Sequence, residues 1–359
     1  MSTVQRVDPV AALRSVRRYV AGRSAPVDGS GTAVKLSSNE LAFGPLPSVE
    51  RALTEAIGDI NRYPLPRAED LQAILASTLG VDVTEVAVGA GSSGLLWQLM
   101  AAFVAPGDRV VAHVPNFEAY PIAAGLASAP LVEVPLRDWR SDVDALIAAV
   151  DDRTKLVVVT NPHNPTGTMI DPASLGRLID AVGDRALVLL DEAYIEFARP
   201  SEQRRWWRDH PNVVVLRTFS KAYGLAALRV GYALADPAVV AALGLTAPPF
   251  TVSGLSSAAA AASLAATSEL DARVRTVCSE RERVTARLRE LGVAVPDSAA
   301  NFVFLPGDDV PDTFVDELER AGVLVRPIER FGVRVTIGTP AENDRFLAEC
   351  TGLLGGDVR

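Results

Sequence analysis

The strongest constraint on the fold is a series of short apolar runs between residues 85 and 216, most of them separated by helix-length segments. The runs are Val86–Val88, Arg109–Val114, Leu131–Val134, Lys155–Thr160, Leu187–Leu190 and Val213–Leu216. They are continuous rather than alternating, which is typical of strands buried on both faces of a sheet. Alternation of strands with helices favours parallel order. We therefore predict an α/β fold with a three-layer, mostly parallel sheet.

The pattern divides the 359 residues into an arm and two lobes, a division that suits a chain of this length. Residues 1–34 contain one plausible amphipathic helix, Pro9–Val20, and a Gly/Ser-rich link; they are predicted to form an N-terminal arm that joins the small domain. Residues 35–262 hold the strand–helix pattern and are predicted to form the large domain. After a long charged helix, Leu270–Leu291, the order strand–helix–strand–strand–helix predicts a small α+β domain over 263–359.

Polar clusters follow three of the predicted strands, at the carboxyl ends where open α/β sheets bind their ligands. Asn161–Gly167 contains two Asn-Pro steps, which favour a fixed, non-helical loop that can present Asn164. Asp191 ends an apolar strand, where a carboxylate is costly to bury without a cationic or hydrogen-bonding partner. The alternative interpretation is that Asp191 caps the amino end of a helix and has no role in ligand binding. The third cluster is Thr218–Arg229.

The Thr218–Arg229 cluster combines groups that suit a phosphorylated carbonyl compound. Lys221 offers a primary amine, the side-chain group that forms a Schiff base with a carbonyl cofactor. Ser220 and Arg229 suit a phosphate, as a neutral donor and a planar bidentate fork. Taken alone, the cluster is more typical of a solvated loop lysine beside a surface arginine, and the rest of the chain decides between the two interpretations.

A glycine-rich turn, Gly89–Gly94, opens the predicted helix Leu95–Val104. Free backbone N–H groups and the positive end of a helix make such a turn an anion-binding site. The alternative is an ordinary tight turn, because a glycine-rich turn by itself is a weak signal.

Composition argues against several classes of function. A net charge of −9 without a basic run argues against a nucleic-acid partner. Cys278 and Cys350 lie too far apart for a disulfide framework, so a reducing cytoplasm fits, and the three histidines lack metal-ligand spacing, so no metal is predicted. The N-terminus lacks a signal leader. Phe250–Ala266 is apolar but interrupted by Ser and Gly, which favours a buried helix over a membrane span.

Taken together, four features resemble the fold-type I pyridoxal-phosphate aminotransferases. They are Asn-Pro-His-Asn-Pro-Thr-Gly at 161–167, Asp-Glu-Ala-Tyr at 191–194, Ser-Lys-Ala-Tyr-Gly-Leu-Ala at 220–226, and Arg229. Their order and spacing are similar to the histidinol-phosphate aminotransferase branch, which includes closely related aromatic amino acid (phenylalanine) aminotransferases. The resemblance covers nearly the whole chain, and several ordered motifs are far more specific than any one of them.

The resemblance implies that pyridoxal 5′-phosphate (PLP) is the cofactor. Lys221 would hold PLP as a Schiff base and then move a proton between the substrate α-carbon and the cofactor. Asp191 would lie against the pyridine nitrogen and favour its protonated form. Asn164 and Tyr194 would hydrogen-bond the phenolic oxygen. We therefore predict Lys221, Asp191 and Tyr194 as catalytic residues.

The resemblance also implies how the rest of PLP and the substrate are held. Phe117 would stack on the ring, and Tyr63 would reach the cofactor phosphate of a neighbouring subunit, which implies a homodimer. Arg334 would bind the substrate α-carboxylate as a bidentate pair. Tyr19 and Arg326 match family positions near the distal end of the substrate. The phosphate would be held by Ser92, Ser93, Gly94, Thr218, Ser220 and Arg229.

Two departures from the family pattern bear on the prediction. Ser92-Ser93-Gly94 stands where the family usually has Ser or Ala followed by Asp-Glu, and the aromatic aminotransferases also lack this acidic pair. The latter share the run Phe-Gly-Pro-Leu-Pro-Ser-Val at 43–49, which moves the prediction toward an aromatic substrate. Ala227 stands where the family has Gly, a conservative change unless that residue needs a positive φ.

We predict a cytoplasmic, homodimeric, PLP-dependent aminotransferase that moves an amino group from an aromatic amino acid to a 2-oxo acid such as 2-oxoglutarate. Histidinol phosphate is the alternative donor: Arg326 and Arg330 would suit its dianionic end, whereas Phe117 and Trp97 would suit an aromatic ring. A decarboxylase or an oxidase on the same fold is a further alternative, because a fold does not fix the reaction. A non-catalytic regulator would need a DNA-binding domain, for which the residues before Lys35 leave no room. Neither nucleic acid nor membrane is an expected partner.

Overall fold

The computed structural model describes Leu13, residues 16–20, Gly22, residues 33–199 and residues 204–354. Most of the predicted helix Pro9–Val20 lies outside the described residues, and its described end, 16–20, is not helical. The strands are β1 Val34–Lys35, β2 Val86–Gly89, β3 Arg109–Val114, β4 Leu131–Pro135, β5 Thr154–Thr160, β6 Leu187–Asp191, β7 Val213–Thr218, β8 Gly231–Leu234, β9 Phe302–Pro306, β10 Val323–Leu324, β11 Arg326–Ile328 and β12 Gly332–Thr336. The α-helices are α1 Pro47–Ala56, α2 Glu69–Leu79, α3 Gly91–Phe103, α4 Ala119–Leu126, α5 Val143–Ala149, α6 Pro172–Val182, α7 Trp206–Asp209, α8 Pro237–Thr246, α9 Gly254–Ala265, α10 Thr267–Glu290, α11 Phe314–Arg320 and α12 Pro340–Leu354.

The large sheet has seven strands in the order β2-β8-β7-β6-β5-β3-β4. β8 is antiparallel to both β2 and β7, and the other neighbouring pairs are parallel. Every strand predicted from the apolar runs is present, and the first and last residues of each strand lie within two positions of the predicted ones. The runs do not predict β8, because this strand is short and begins with Gly231, directly after the Lys221 loop.

Helices cover both faces of this sheet because alternate residues of its central strands enter different hydrophobic cores. In β5, Val157 and Val159 belong to one core, whereas Leu156 and Val158 belong to the other, and each is at most 1% exposed. Full burial of an aliphatic side chain of this size contributes about 1.5–3 kcal/mol. The three-layer, mostly parallel α/β arrangement predicted from the sequence is confirmed.

A smaller lobe is built on an antiparallel sheet in the order β11-β12-β9. Its core contains Phe302, Phe314 and Phe346, all fully buried. The same core takes in Tyr194 and Ala222 from the large lobe. The two lobes therefore meet beside Lys221, and the contact between them forms one wall of the predicted site.

Structural elements cross both of the predicted lobe boundaries. β1 pairs in parallel with β10, so that Val34 lies opposite Val323 of the small lobe. The boundary predicted at residue 263 falls inside α9, and Leu270 of α10 packs against the cores of both lobes. The exact division of the chain into domains stays a prediction.

The apolar stretch at 250–266 largely forms α9, which packs against α1 and α2. Ser256, Ser257 and Ala260 of this helix are buried, so its alternation of small residues serves close packing. None of the helices that the structure describes is both long and apolar enough to cross a membrane.

Candidate active site

The carboxyl ends of β5, β6 and β7 bring the predicted motifs to one edge of the large sheet. These three strands are neighbours, with Thr160 opposite Asp191 and Asp191 opposite Leu216. The loop at 161–167 follows β5, and the Lys221 loop follows β7. Parallel order therefore explains why residues sixty positions apart in sequence converge, since parallel strands end at the same edge.

The Lys221 amine lies between the two lobes. Its Nζ donates to the backbone carbonyl oxygens of Ser38, at 3.3 Å, and Asn39, at 3.2 Å, and lies 5.7 Å from the centre of the Tyr194 ring. Burial first, and then the positive charge of Arg334, lower the pKa of the Lys221 amine to about 7. Near neutral pH, a large fraction of this amine is therefore neutral and nucleophilic, unlike that of an exposed lysine.

Asp191 is buried at the end of β6, and both of its carboxylate oxygens accept hydrogen bonds. Tyr120 Oη donates to Oδ2 at 2.6 Å, and the Ala193 N–H donates to Oδ1 at 3.0 Å. Burial raises the pKa of the Asp191 carboxyl, whereas these two bonds favour its charged form. A positively charged ligand group against this carboxylate would stabilise it further.

Tyr194 keeps its proton at neutral pH, because burial raises its pKa to about 12. Its hydroxyl oxygen accepts a hydrogen bond from Asn39 Nδ2 at 2.9 Å, so the hydroxyl hydrogen can still be donated to a ligand. Asn39 has a positive φ of 52°, a conformation that asparagine tolerates better than most residues. The Asn39 N–H donates to Thr336 Oγ1 at 2.9 Å, which ties this segment to β12 of the small lobe.

Arg334 enters the cleft from β12 and is buried. Its Nη1 donates to Asn164 Oδ1 at 2.6 Å, its Nη2 donates to the Ser37 carbonyl at 3.0 Å, and the guanidinium lies 5.5 Å from the centre of the Phe302 ring. Arg334 Nε is buried without a hydrogen-bond partner among the described residues. Asn164 therefore orients Arg334 through its oxygen, and its amide nitrogen is the end that could donate to a ligand.

Arg326 lies directly opposite Arg334 in the β11–β12 pair. The resemblance puts Arg326 near the distal end of the substrate, but this register makes the two arginines immediate neighbours. Arg326 Nη2 forms an ion pair with Glu118 Oε1 and donates to the Val20 carbonyl at 2.8 Å. Tyr19, next to Val20, is 56% exposed and close enough to Tyr194 to contribute to its raised pKa.

The turn at the start of α3 forms a cradle with Arg229. Gly91 has φ +74°, and a Cβ atom at this position would come within 2.7 Å of Arg229 Nη2. A Cβ at Gly231 would likewise meet the backbone nitrogen of Ser92 at 2.6 Å. Both glycines therefore allow the Arg229 guanidinium and strand β8 to approach the amino end of α3. The first turn of this helix also carries Ser93 and Gly94 and has no acidic residue.

Ser220 and Thr218 complete this cradle from the loop after β7. Thr218 Oγ1 donates to Ser220 Oγ at 3.0 Å, and Arg229 Nη1 donates to the same oxygen at 3.4 Å. Ala227 lies in a short 3₁₀ turn without a positive φ; the left-handed residue is Arg229, at φ +50°. The replacement of the family glycine by Ala227 therefore introduces no backbone strain.

Two of the predicted cofactor residues lie at the margins of this cluster. Phe117 is half-buried just before α4, and its ring meets that of Tyr120 edge to face at 5.6 Å. Tyr63 is not part of the cluster within one chain: it is 85% exposed, and its ring packs 4.8 Å from that of Phe250. A role for Tyr63 in catalysis would therefore need a second copy of the chain.

The arrangement fits PLP at each end of that molecule. The start of α3 and Arg229 present hydrogen-bond donors and positive charge to a phosphate. The space between them stays open because residue 91 is glycine, since a Cβ there would clash with Arg229. Asp191 is a buried acceptor suited to a pyridinium nitrogen, and Lys221 is an amine suited to a carbonyl carbon. The fold and these residues define a PLP-dependent transferase of the fold-type I class.

Comparison with known proteins gives the family. Residues 32–349 match the family "Aminotransferase class I and II", and the chain belongs to this family of PLP-dependent enzymes. It is 51% identical to the aromatic amino acid aminotransferase of Thermobifida fusca over 94% of both chains, and 48% identical to that of Rhodococcus erythropolis over 94% of this chain and 93% of the other. The histidinol-phosphate aminotransferase of Sinorhizobium meliloti, solved in complex with PLP, matches with a TM-score of 0.89 and 30% identity over 99% of both chains. The predicted family, fold type and cofactor are confirmed.

Sequence reasoning missed three residues that the structure places in or beside the cleft: Tyr120, Asn39 and Glu118. Tyr120 lies in the first turn of α4, three residues after the predicted stacking residue Phe117, and the two rings are in contact. Asn39 lies outside the motifs on which the resemblance rests, and nothing in its neighbours indicates a bond to Tyr194. In the sequence, Glu118 is indistinguishable from an exposed acidic residue that precedes a helix. Its pairing with Arg326 is therefore visible only in the three-dimensional structure.

Proposed function

We propose that this aminotransferase takes its amino group from an aromatic amino acid and passes it to a 2-oxo acid such as 2-oxoglutarate. The observation that carries the reaction is the meeting of the Lys221 amine and the Arg334 guanidinium in one cleft between the lobes. The aromatic substrate is supported by relatives of about half-identical sequence that are named aromatic amino acid aminotransferases.

Lys221 is the proposed covalent and acid–base residue. Its lowered pKa supplies a neutral amine for bonding to the PLP carbonyl, and the same amine, once released, can take a proton from the substrate α-carbon and return it to the cofactor side. When bound, PLP would supply the electron-withdrawing ring that makes this proton acidic. The carbonyls of Ser38 and Asn39 accept hydrogen bonds from this amine and so fix its position in the cleft.

Asp191, Tyr194 and Asn164 are the proposed ring-binding residues. Asp191, held by Tyr120 and Ala193, would pair with the pyridine nitrogen and keep it protonated. The neutral Tyr194 hydroxyl would donate to the phenolic oxygen, as would the Asn164 amide nitrogen. Phe117 would cover one face of the ring. The proposed phosphate ligands are Ser92, Ser93, Gly94, Thr218, Ser220 and Arg229.

Arg334 is the proposed carboxylate-binding residue, because it is buried, it is held by Asn164 and Ser37, and its Nε lacks a partner among the described residues. Phe117, whose ring meets that of Tyr120 beside Asp191, offers apolar surface for an aromatic ring. Histidinol phosphate is a second candidate donor, since Arg326 beside Arg334 could hold a dianion and a structural relative carries that name.

We also propose a homodimer, in which Tyr63 of one subunit contributes to the phosphate site of the other. Its support is a set of apolar side chains that one chain leaves in contact with solvent, since exposed apolar patches mark interaction sites. Tyr63 and Phe250 pack together at this surface. Large apolar side chains that are more than half exposed in this chain include Ile57, Ile60, Tyr63 and Leu245. A cytoplasmic location remains a further prediction, consistent with Cys278 and Cys350 being free thiols.

Two measurements test the proposed function. Borohydride reduction of the PLP-loaded protein, followed by peptide mapping, should place the label on Lys221; the other lysines of the chain are Lys35 and Lys155. Single-turnover mixing with L-phenylalanine should then yield phenylpyruvate and the amine form of the cofactor. Release of carbon dioxide or peroxide instead would point to a decarboxylase or an oxidase, and a label on Lys35 or Lys155 would refute the role of Lys221.

A further inference from the structure

The two arginines in the cleft form a pair of like charges that the fold has to neutralise. Arg326 and Arg334 are directly opposite in the antiparallel pair β11–β12, so their side chains leave the same face of the sheet. Both are buried, each 9% exposed. Like charges directly opposite on a sheet are destabilising. Burial lowers the pKa of Arg334, and the positive charge of Arg326 lowers it further.

Only one of these arginines has a charged partner in the described part of the chain. Glu118, the residue that precedes α4, forms an ion pair with Arg326, which also donates to the Val20 carbonyl. The described acceptors of Arg334 are neutral, the Asn164 side chain and the Ser37 carbonyl. With two guanidinium groups and one carboxylate, the anion-binding end of the cleft carries one positive charge rather than two.

One positive charge matches the substrate class proposed above. The α-carboxylate of an amino acid or a 2-oxo acid is a monoanion, and Arg334 with its open Nε can bind it while Arg326 stays paired with Glu118. Histidinol phosphate carries a phosphate ester on the carbon that is a carboxylate in histidine, so a dianion would enter the same end. The phosphate would have to displace Glu118 from Arg326 or lie beside the negative charge of Glu118.

We propose that Glu118 is a specificity-determining residue, which sets the charge of the Arg326–Arg334 pair so that the cleft accepts a carboxylate and rejects a phosphate ester. This inference rests on the proposed aminotransferase function and deepens it. Glu118 acts through Arg326 and takes no part in proton transfer at the α-carbon. Its side chain is 44% exposed, whereas that of Arg326 is 10% exposed, so the acid sits at the mouth and the arginine inside.

If Glu118 had only a structural role, connecting the start of α4 to β11 through Arg326, a different result would be expected. Glu118→Gln keeps the size and a hydrogen-bond acceptor for Arg326 but removes the charge. If its role were only structural, this change would leave the preference between carboxylate and phosphate intact. If its charge sets specificity, the preference should shift toward the phosphate.

Two non-reacting ligands isolate this preference from catalysis. 3-Phenylpropanoate and 2-phenylethyl phosphate share a phenyl ring and differ in the anionic end, and neither has an amino group. We expect calorimetric titration of the PLP-loaded protein to show that Glu118→Gln shifts the ratio of their affinities toward the phosphate by at least about tenfold, the change for removal of one nearby charge. The matched control is Glu317→Gln, which removes the same charge from an exposed surface pair with Arg320.

The same variants are then compared in half-reactions with L-phenylalanine and histidinol phosphate, where Glu118→Gln should raise kcat/KM for histidinol phosphate relative to phenylalanine by a similar factor. Placing Glu118→Gln in an Arg326→Gln background should abolish the gain, since the acid acts through that arginine. A folded Glu118→Gln protein whose affinity ratio stays within twofold of wild type would overturn the inference, and Glu118→Ala repeats the test if the first variant unfolds. Failure of the wild-type protein to transaminate phenylalanine would instead refute the proposed function.

Discussion

The two ends of the cleft are built in different ways. At the phosphate end, Thr218, Ser220 and Arg229 bond to one another across at most nine residues of sequence, next to the first turn of α3. At the carboxylate end, Arg334 bonds to a residue 170 positions away and to another 297 positions away. The phosphate end therefore depends on short loops at one sheet edge, whereas the carboxylate end depends on how the two lobes pack.

This difference separates two properties of the enzyme. The proposed cofactor ligands are local motifs at the sheet edge, and they can stay constant while the substrate changes. The proposed substrate-binding residues are held by contacts between distant segments, so one substitution there should alter the substrate preference without disturbing the cofactor. Variants at the phosphate end should therefore lower the affinity for PLP, whereas variants at the carboxylate end should lower kcat/KM for the substrates.

The largest effect is expected at Lys221, the proposed covalent and acid–base residue. Lys221→Ala should reduce turnover by at least about 10⁴-fold, the upper range for a positioned acid–base group, because the chain offers no other amine at this point. It should also abolish borohydride labelling. Lys155→Ala, at an exposed position of β5, is the control and should keep both properties. Full labelling of the Lys221→Ala protein would contradict the assignment.

Arg334→Gln should lower kcat/KM about 100- to 1,000-fold for the amino acid and the 2-oxo acid alike, in line with the cost of about 2–5 kcal/mol for truncating a buried charged partner. Its affinity for PLP should stay within about twofold of wild type, since the phosphate contacts are unchanged. Steady-state kinetics and cofactor titration measure the two quantities. Arg320→Gln, on an exposed helix surface, should change neither. A large loss of cofactor affinity in Arg334→Gln would break the separation between the two ends.

Arg229→Gln should show the reverse pattern. We expect PLP to bind about 10- to 100-fold more weakly, because hydrogen bonds to charged groups contribute about 1.5–3 kcal/mol. At saturating PLP, the KM for phenylalanine should be close to that of wild type. Equilibrium dialysis of the apoprotein with PLP measures the first value. Arg177→Gln, which loses an exposed pair with Asp144, serves as the control.

The Lys221 pKa predicts how fast the apoprotein takes up PLP. Only the neutral amine can attack the carbonyl, and burial lowers its pKa to about 7. The rate of reconstitution, followed by absorbance, should be constant above pH 8 and fall about tenfold per unit below pH 6, as expected for one titrating group. A rate that keeps rising up to pH 10 would show that the amine behaves as an exposed lysine.

The smallest effect is expected for Tyr120→Phe, which removes the hydroxyl bond to Asp191. Because that bond lowers the pKa of Asp191, its loss should move the acidic limb of the kcat profile to higher pH. We expect kcat at neutral pH to fall about fivefold, or about 1 kcal/mol, as for a typical hydrogen bond. Tyr223→Phe removes a buried hydroxyl elsewhere and should leave the profile unchanged. An unshifted profile in Tyr120→Phe would refute a role for this bond.

The sequence predicts most of the large lobe, because its strands are continuous apolar runs and its motifs follow them directly. Lys221, Asp191 and Asn164 could be placed together on that basis alone. The same reasoning cannot place Arg326, whose position opposite Arg334 depends on the register of two short strands. It also cannot find Glu118 or Asn39, since the partners of both are chosen by tertiary packing and leave no local pattern.

The segment from Ser37 to Asn39 has a consequence for redesign. Its carbonyl oxygens accept from Lys221 of the large lobe and from Arg334 of the small lobe, and the Asn39 side chain holds Tyr194. A substitution that shifts this backbone would therefore disturb Lys221, Arg334 and Tyr194, and with them three of the proposed functions of the site, at once. Attempts to give the enzyme a new substrate should therefore leave residues 37–39 untouched and vary positions 118 and 326, whose described hydrogen bonds are to each other and to the Val20 carbonyl.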